Sequence, residues 1–267
     1  MKKIFAVAVL FALTSTAALT QAPVSQGKPV YMQKESRWTG FYVGVNAGEG
    51  LGTSNARTST TYSSAGYFAN SSVAAINTVG NRDLTLNGIA GGGQVGYNRQ
   101  MSHLVLGIEG DFGALSTDQS ATTLTTYPCC APSSFMISQK VSTDWIATVR
   151  PRMGVVLGKR LLVFVSGGVA ETAIHYSSGF EDNFSSAFEA AVVPSHLKTG
   201  WAAGGGLEMA LNRHWSIRPE YLRASFGNVS SVGTPLTTSE GPFPTTVFLH
   251  RADLNTNIAR LAINYTF

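Results

Sequence analysis

The C-terminal stretch, Asp253 to Phe267, constrains the fold of this chain more than any other part of the sequence. Apolar residues alternate there with polar or small ones, and the apolar set is Ala259, Leu261, Ile263, Tyr265 and Phe267. Period-two alternation places neighbouring residues on opposite faces of a β-strand. The stretch ends on an aromatic ring, which suits the water–lipid interface of a membrane barrel better than the core of a soluble sheet. The pattern therefore predicts the closing strand of a transmembrane β-barrel.

The N-terminal residues read as a secretion signal. Lys2 and Lys3 precede an apolar run from Ile4 to Leu13, and small residues near Ala22 offer a cleavage site. The run is too short for a membrane-spanning helix, which needs about 20 residues. We therefore expect residues 1–22 to be a cleaved signal peptide, 23–37 a polar leader and 38–267 the barrel domain.

The composition favours strands that face apolar surroundings. Hydrophobic residues make up 44% of the chain and charged residues only 13%, about half the usual fraction. No later stretch approaches the roughly 18 consecutive apolar residues of a transmembrane helix. Because export sets the compartment, the net charge of +4 gives no support for a nucleic-acid partner.

Eight segments share the alternating pattern, and each is long enough to cross a membrane at a tilt. They are residues 38–48, 86–99, 103–115, 141–157, 161–176, 196–211, 215–227 and 253–267. The fifth is apolar on both faces at its start, so its orientation stays open. The pattern predicts an all-β fold, namely an eight-stranded antiparallel up-and-down transmembrane β-barrel.

The connections between these segments alternate between long and short. The short ones hold Gln100–Ser102, Gly158–Arg160 and Asn212–His214. Bacterial outer-membrane barrels have short periplasmic turns, long outer loops and an even number of strands. We therefore expect a bacterial outer-membrane protein, with Thr53–Asn81 and Pro235–Thr246 outside the cell and Lys159 and Arg213 in the periplasm.

The face opposite the apolar one collects the charges, with four acids and four bases. They are Glu109, Asp111, Arg150, Arg152, Glu208, Arg218, Glu220 and Arg260. An Arg or Lys facing lipid at the membrane midplane costs about 2–4 kcal/mol, so these residues are expected to face inward. An eight-stranded barrel leaves an interior that side chains nearly fill. The balanced signs predict a closed lumen with a charge network, and a channel lining is the alternative.

The segment Trp38–Gly48, with the sequence Trp-Thr-Gly-Phe-Tyr-Val-Gly-Val-Asn-Ala-Gly, resembles the first strand of a known family. The family is the small porin-like outer-membrane β-barrels of alphaproteobacteria, often called outer-membrane immunogenic proteins. The resemblance implies a signal peptide and a closing strand that ends in Phe. It further implies that the barrel-assembly machinery reads Phe267, with Tyr265, and that periplasmic chaperones and outer-membrane lipid are partners. It transfers no catalytic residue and leaves the oligomeric state open.

Two adjacent cysteines, Cys129 and Cys130, lie in a predicted outer loop. Neighbouring cysteines cannot clip distant segments together. A vicinal disulfide, free thiols and an intermolecular bond therefore remain as alternatives.

The expected function is that of a non-enzymatic barrel that contributes to envelope structure and presents surface loops. A low-conductance, porin-like channel for small solutes is the first alternative. A lipid-modifying barrel enzyme is the second, based on His250 near Asp253 with Ser230 or Ser239 upstream. No serine stands in a defined nucleophile motif and the histidines lack metal-ligand spacing, so no catalytic residue, metal or cofactor is expected.

Overall fold

The computed structural model describes residues 37–267, apart from the side chains of residues 193–195. The predicted signal peptide and nearly all of the predicted leader lie outside this range. Within residues 37–267 no helix has the length and apolar character that crossing a membrane requires.

The described chain consists of ten strands and one helix. In chain order they are β1 (Gly40–Thr60), α1 (Asn70–Val79), β2 (Asn81–Met101), β3 (Leu104–Thr126), β4 (Ser134–Leu157), β5 (Leu161–Asp182), β6 (Phe188–Ala210), β7 (Trp215–Val232), β8 (Leu236–Thr238), β9 (Gly241–Phe243) and β10 (Phe248–Thr266).

Eight of these strands form a closed antiparallel ring. The sheet runs in the order β5-β4-β3-β2-β1-β10-β7-β6, and an additional β5–β6 pairing closes it. The first and last long strands pair along most of their length, from Tyr42 opposite Thr266 to Thr60 opposite Phe248. Strands β8 and β9 form a small hairpin that touches the ring where Thr237 pairs with Phe188. The predicted eight-stranded up-and-down fold is therefore confirmed.

The predicted strand limits are wrong at one end of the barrel. The alternating segments leave residues 53–81, 116–140 and 177–195 as predicted loops, but β1, β3 and β5 continue well into these stretches and residues 70–79 are helical. Apolar alternation marks only the part of a strand whose outward face is apolar. Beyond that part the outward side chains become polar, whereas the ladder continues because each backbone N–H and C=O still needs a partner.

The two halves of the barrel differ in their outward surface. The near half, which holds both Gly40 and Thr266, carries large apolar side chains that point away from the interior on every ring strand. Examples, all between 49% and 69% exposed, are Phe41, Ile89, Phe112, Val149, Val165, Trp201, Tyr221 and Leu261. Such a continuous apolar belt is unfavourable in water and suits hydrocarbon. The far half, which holds α1, has a mostly polar outward surface.

Layers of apolar side chains alternate with layers of polar side chains in the interior. The inward residues of β5 pass through these layers one after another. Leu162 and Phe164 belong to a near apolar cluster, Ser166 reaches the charged layer, and Ile174 lies in a middle apolar cluster. Further along, Ser178 joins a second polar layer, and Phe180 joins a far apolar cluster with Phe68, Tyr127, Phe135 and Phe248. The orientation of this strand is thereby settled: Val163 and Val165 face outward and are exposed. Alternating apolar and polar layers thus occupy the barrel from end to end.

Candidate functional site

The charged layer is centred on Arg150, whose side chain has no exposed surface. Its Nη2 lies 2.9 Å from Glu109 Oε1 and 2.8 Å from Asp111 Oδ2. Its Nη1 lies 2.8 Å from Glu220 Oε1. Arg150 and Glu109 are direct cross-strand partners on β4 and β3, whereas Glu220 reaches them from β7. One guanidinium therefore holds three buried carboxylates together.

Three further arginines complete the layer. Arg218 Nη1 donates to Glu109 Oε2 at 2.5 Å, and Arg152 Nη2 lies 2.8 Å from Glu208 Oε2. Arg260 Nη2 lies 2.9 Å from Glu220 Oε2, and its Nη1 lies 3.3 Å from Asp111 Oδ1. The structure therefore brings all eight predicted lumen residues into one connected set of ion pairs, which we call the charge network.

Neutral residues that were not predicted as part of the network supply further hydrogen bonds. Tyr42 donates to Glu109 Oε2, while Asn264 Nδ2 and Ser216 Oγ donate to Glu208 Oε1 at 2.8 and 2.6 Å. Gly96 leaves room for the Tyr42 ring, since a β-carbon there would lie 2.7 Å from Tyr42 Cε1. The inward parity of these residues was the only available sequence signal.

The charge network is balanced in charge and closely paired. Four acids are matched by four arginines, which stay protonated at any physiological pH. Ion pairs and hydrogen bonds occupy the carboxylates, and the adjoining void, lined by Asp111 and Arg260, has a volume of about 10 Å³, room for about one water molecule. Within residues 37–267 no group of three or more His, Cys, Asp or Glu side chains could hold a metal ion.

A second polar layer, the far polar cluster, contains a histidine between a hydroxyl and a carboxylate. His250 Nε2 lies 3.2 Å from Glu189 Oε1, and Nδ1 lies 3.1 Å from Thr58 Oγ1. Ser178 and Gln139 also bond to Thr58, at 2.9 and 3.0 Å. All of these side chains are buried, so a substrate has no access to them. Sequence reasoning missed the pairing of Glu189 with His250 because the two residues lie 61 positions apart.

The alternative catalytic set is not assembled in this structure. His250 faces the interior, whereas Asp253 lies on the outward parity of the same strand and its carboxylate accepts hydrogen bonds from Asn55. Ser230 is exposed on the outside of β7, and Ser239 bonds to the Ser185 carbonyl. The structure therefore does not bring His250 together with Asp253, Ser230 or Ser239 in a catalytic arrangement.

Loops meet at the far end of the barrel, where Cys129 and Cys130 form a vicinal disulfide. Nearby, the hydroxyls of Tyr67 and Tyr127 donate to Asp182 Oδ2 at 2.7 and 2.8 Å. Burial, reinforced by these hydrogen bonds, raises the pKa of both tyrosines above the ordinary value. The two hydroxyls and Asp182 thus join the β1–α1 loop, the β3–β4 loop and the far end of β5.

We expect this junction to loosen at alkaline pH. Because folding raises the tyrosine pKa, the neutral hydroxyls give their full stabilisation below the ordinary tyrosine pKa of about 10. That stabilisation is lost as the pH rises further. Protease sensitivity of the far loops should therefore rise above about pH 10 in the parent protein. A double variant, Tyr67→Phe with Tyr127→Phe, should lose this pH dependence. An equal alkaline response in the double variant would show that other groups hold the loops together.

The sequence matches a known family model and named relatives over most of its length. Residues 5–267 match the family model described as "Outer membrane protein beta-barrel domain". The chain is 29% identical over 231 residues to the 31 kDa outer-membrane immunogenic protein of Brucella melitensis, covering 86% of this chain and 84% of the relative. It is 25% identical over 217 residues to the 25 kDa outer-membrane immunogenic protein of Brucella abortus, covering 81% and 78%.

A solved structure to which the chain is similar is that of Neisserial surface protein A. It covers 86% of this chain and 98% of its own length, with 8% identity and a TM-score of 0.32. At this score the similarity supports no functional conclusion.

Proposed function

The chain belongs to the outer membrane protein β-barrel domain family and lies in the bacterial outer membrane, and from this premise we propose that it is a closed, non-enzymatic barrel. Its proposed role is to contribute to envelope structure and to present the far loops at the cell surface. The observation that carries this proposal is the filled interior. The charge network lies between the near and middle apolar clusters, and the far polar cluster lies between the middle and far apolar clusters.

The layered interior is a poor conduction path. An ion that followed the barrel axis would have to displace arginine–carboxylate pairs and then cross packed apolar side chains such as Leu115 and Leu222, which have no exposed surface. Moving a charge through an apolar layer is strongly unfavourable without water or a partner. The balanced charges also give no preference for either sign of ion.

The apolar belt of the near half is proposed to contact outer-membrane lipid. During biogenesis, Phe267 and Tyr265 are proposed to be read by the barrel-assembly machinery after periplasmic chaperones deliver the unfolded chain. Tyr265 packs edge-to-face against Phe267 with ring centroids 5.2 Å apart. This arrangement supports a single aromatic surface at the end of β10.

Planar-bilayer recording tests the closed-barrel proposal. The purified parent protein should insert without producing discrete conductance steps, because no continuous aqueous path crosses the charge network. A general porin reconstituted in the same way shows that insertion and detection work. Reproducible ion-selective steps from the parent protein would instead establish the low-conductance channel.

Surface labelling tests the proposed orientation, with the far half outside the cell. Ser64, in the loop after β1, and Glu240, in the β8–β9 turn, are exposed, so epitope tags inserted there should be accessible on intact cells. A tag at Lys159, in the near turn between β4 and β5, should be accessible only after the outer membrane is permeabilised. Labelling of Lys159 on intact cells would reverse the orientation.

A further inference from the structure

Two arginines face each other on the outside of the far half. Arg57 on β1 and Arg251 on β10 are direct register partners, and both side chains are exposed on the outward face. Directly opposed residues of antiparallel strands have β-carbons about 5 Å apart. Like charges in such positions repel each other, so this pair reduces the stability of the strand pairing unless an anion lies between them.

No carboxylate in the described part of the chain forms an ion pair with either arginine. Both guanidinium groups lie more than 4.0 Å from every carboxylate oxygen of residues 37–267. Asp253 lies two positions beyond Arg251 on the same face, but its Oδ1 accepts the backbone N–H of Asn55 at 2.5 Å. Its Oδ2 accepts the Asn55 side-chain amide at 3.0 Å. The nearest acid on these two strands is therefore already hydrogen bonded. On β2, Asp83 is exposed and lies diagonally across from Arg57, but it forms no ion pair with it.

The two arginines form the centre of a longer row of hydrogen-bond donors. Asn81 on β2 is the register partner of Arg57, and Ser230 on β7 is the register partner of Arg251. Both side chains are exposed and face outward. The row Asn81–Arg57–Arg251–Ser230 thus crosses four neighbouring strands and contains no acid. Because both arginine-bearing strands are hydrogen bonded on either side, the row is held on a rigid surface.

We propose that this row is a binding site for a phosphate group. The planar guanidinium fork matches a tetrahedral oxyanion and binds it with two parallel hydrogen bonds. The guanidinium groups of Arg57 and Arg251 can donate hydrogen bonds to one phosphate from both sides. The amide of Asn81 and the hydroxyl of Ser230 can donate at the two ends of the row. Binding replaces the arginine–arginine repulsion with charge-assisted hydrogen bonds.

The height of the row indicates where such a phosphate comes from. Leu51 is the last large apolar residue on the outward face of β1, at 52% exposed, and Arg57 follows it further along the strand. At about 3.3 Å per residue the row lies roughly 20 Å of strand beyond the apolar belt. On the proposed orientation this is the level of the sugar and phosphate groups of the outer-leaflet glycolipid. A soluble sugar phosphate offers the same chemistry, and the site itself requires neither a given orientation nor a closed lumen.

Calorimetric binding to the folded barrel in phosphatidylcholine nanodiscs tests the site. The probes are phosphorylated lipopolysaccharide, the same lipopolysaccharide after enzymatic dephosphorylation, and glucose 6-phosphate. Arg251→Glu should weaken binding of the phosphorylated probes about tenfold or more, since two charge-assisted hydrogen bonds are lost and a like charge is introduced. Dephosphorylation should have a similar effect on the parent protein. Affinity should also fall as salt is raised.

The unfolding midpoint of the same variant shows whether misfolding explains a loss of binding. Arg251→Glu places opposite charges across from each other on β1 and β10, so its midpoint for unfolding in urea should be equal to or above that of the parent. Arg223→Gln is the matched control, because Arg223 is also exposed and outward but faces Asn257 and Ala203. It should leave phosphate binding unchanged.

The outcomes distinguish whether the phosphate site exists from which molecule supplies the phosphate. Binding of lipopolysaccharide but not of glucose 6-phosphate assigns the membrane glycolipid, and binding of both shows that a soluble phosphate suffices. If glucose 6-phosphate binds but the surface tags report the opposite orientation, the site stands and the glycolipid source fails. Equal affinities of the parent and of Arg251→Glu for both phosphorylated probes would overturn the proposal, as would an equal loss in Arg223→Gln.

Discussion

Replacing Arg150 with alanine is expected to lower the free energy of unfolding by about 3–5 kcal/mol. Arg150 touches Glu109, Asp111 and Glu220 within 2.9 Å and is wholly buried. Its removal leaves four acids facing three arginines in the buried charge network. The unpaired carboxylate keeps its desolvation penalty and loses its partner, and the space vacated by the side chain adds a cavity term.

This effect is measured by unfolding in urea, monitored through loss of the heat-modifiable electrophoretic mobility of the folded barrel. A second substitution provides the control: Arg150→Met combined with Glu220→Gln restores charge balance. Its destabilisation should therefore be smaller than the sum of the two single changes, because the residues share one network. Arg223→Ala, at an exposed position, should change the free energy of unfolding by no more than about 0.5 kcal/mol.

The same variant also distinguishes a closed barrel from a channel. In a water-filled lumen, Arg150→Ala would leave the unfolding midpoint nearly unchanged and shift the ion preference. In a filled barrel, the same change lowers the free energy of unfolding, and any conductance appears only as an irregular leak. No change in either property would mean that Arg150 is not a part of the network.

Changing Phe267 to aspartate, or deleting it, is expected to remove most of the folded barrel from the outer membrane. The ring is 72% exposed, so it contributes little to packing, and the loss should arise during assembly. The Phe267 backbone N–H donates to the Phe41 carbonyl at 3.0 Å, which places the terminal ring at the seam between the first and last strands. An aspartate there puts a charge at the edge of the apolar belt, where the proposed assembly signal is read.

Two comparisons separate assembly from stability. Phe112→Ala removes a similarly exposed outward ring, at 65%, from the middle of β3 and should leave most of the membrane yield intact. Phe267→Tyr keeps an aromatic terminus and should also be tolerated. In detergent the purified Phe267 variants should refold nearly as well as the parent. Equal yields of folded barrel in cells from Phe267→Asp and from the parent protein would refute an assembly role.

Much of the near half was predictable because its strands combine two independent signals. Phe41 and Val43 alternate with Tyr42 and Gly44, and the exact twofold period of a strand leaves only one assignment of faces. The resemblance of the Trp38–Gly48 segment to outer-membrane immunogenic proteins is confirmed by the family match and by the Brucella relatives. Those signals sufficed for the fold class and the compartment.

The far half was not predictable because the polarity rule changes there. In β1, Asn55 and Arg57 face water on the outside, while Ala56 belongs to the middle apolar cluster. The outward polar residues resemble loop composition, which hides the strand. Helix α1 is short and has no side-chain cap, so it also lacks a start signal in the sequence.

The residues that point into the lumen could be assigned from the sequence alone, whereas their contacts with one another depend on the tertiary structure. Side-chain parity is a local property, so Glu109, Arg150 and Glu220 could be assigned to the interior one strand at a time. Contact between Arg150 and Glu220, which are 70 positions apart, depends on the stagger of β4 and β7 around the closed ring. That stagger is a collective property of all eight strands and follows from closure, which brings side chains at one height into a single cross-section of the barrel.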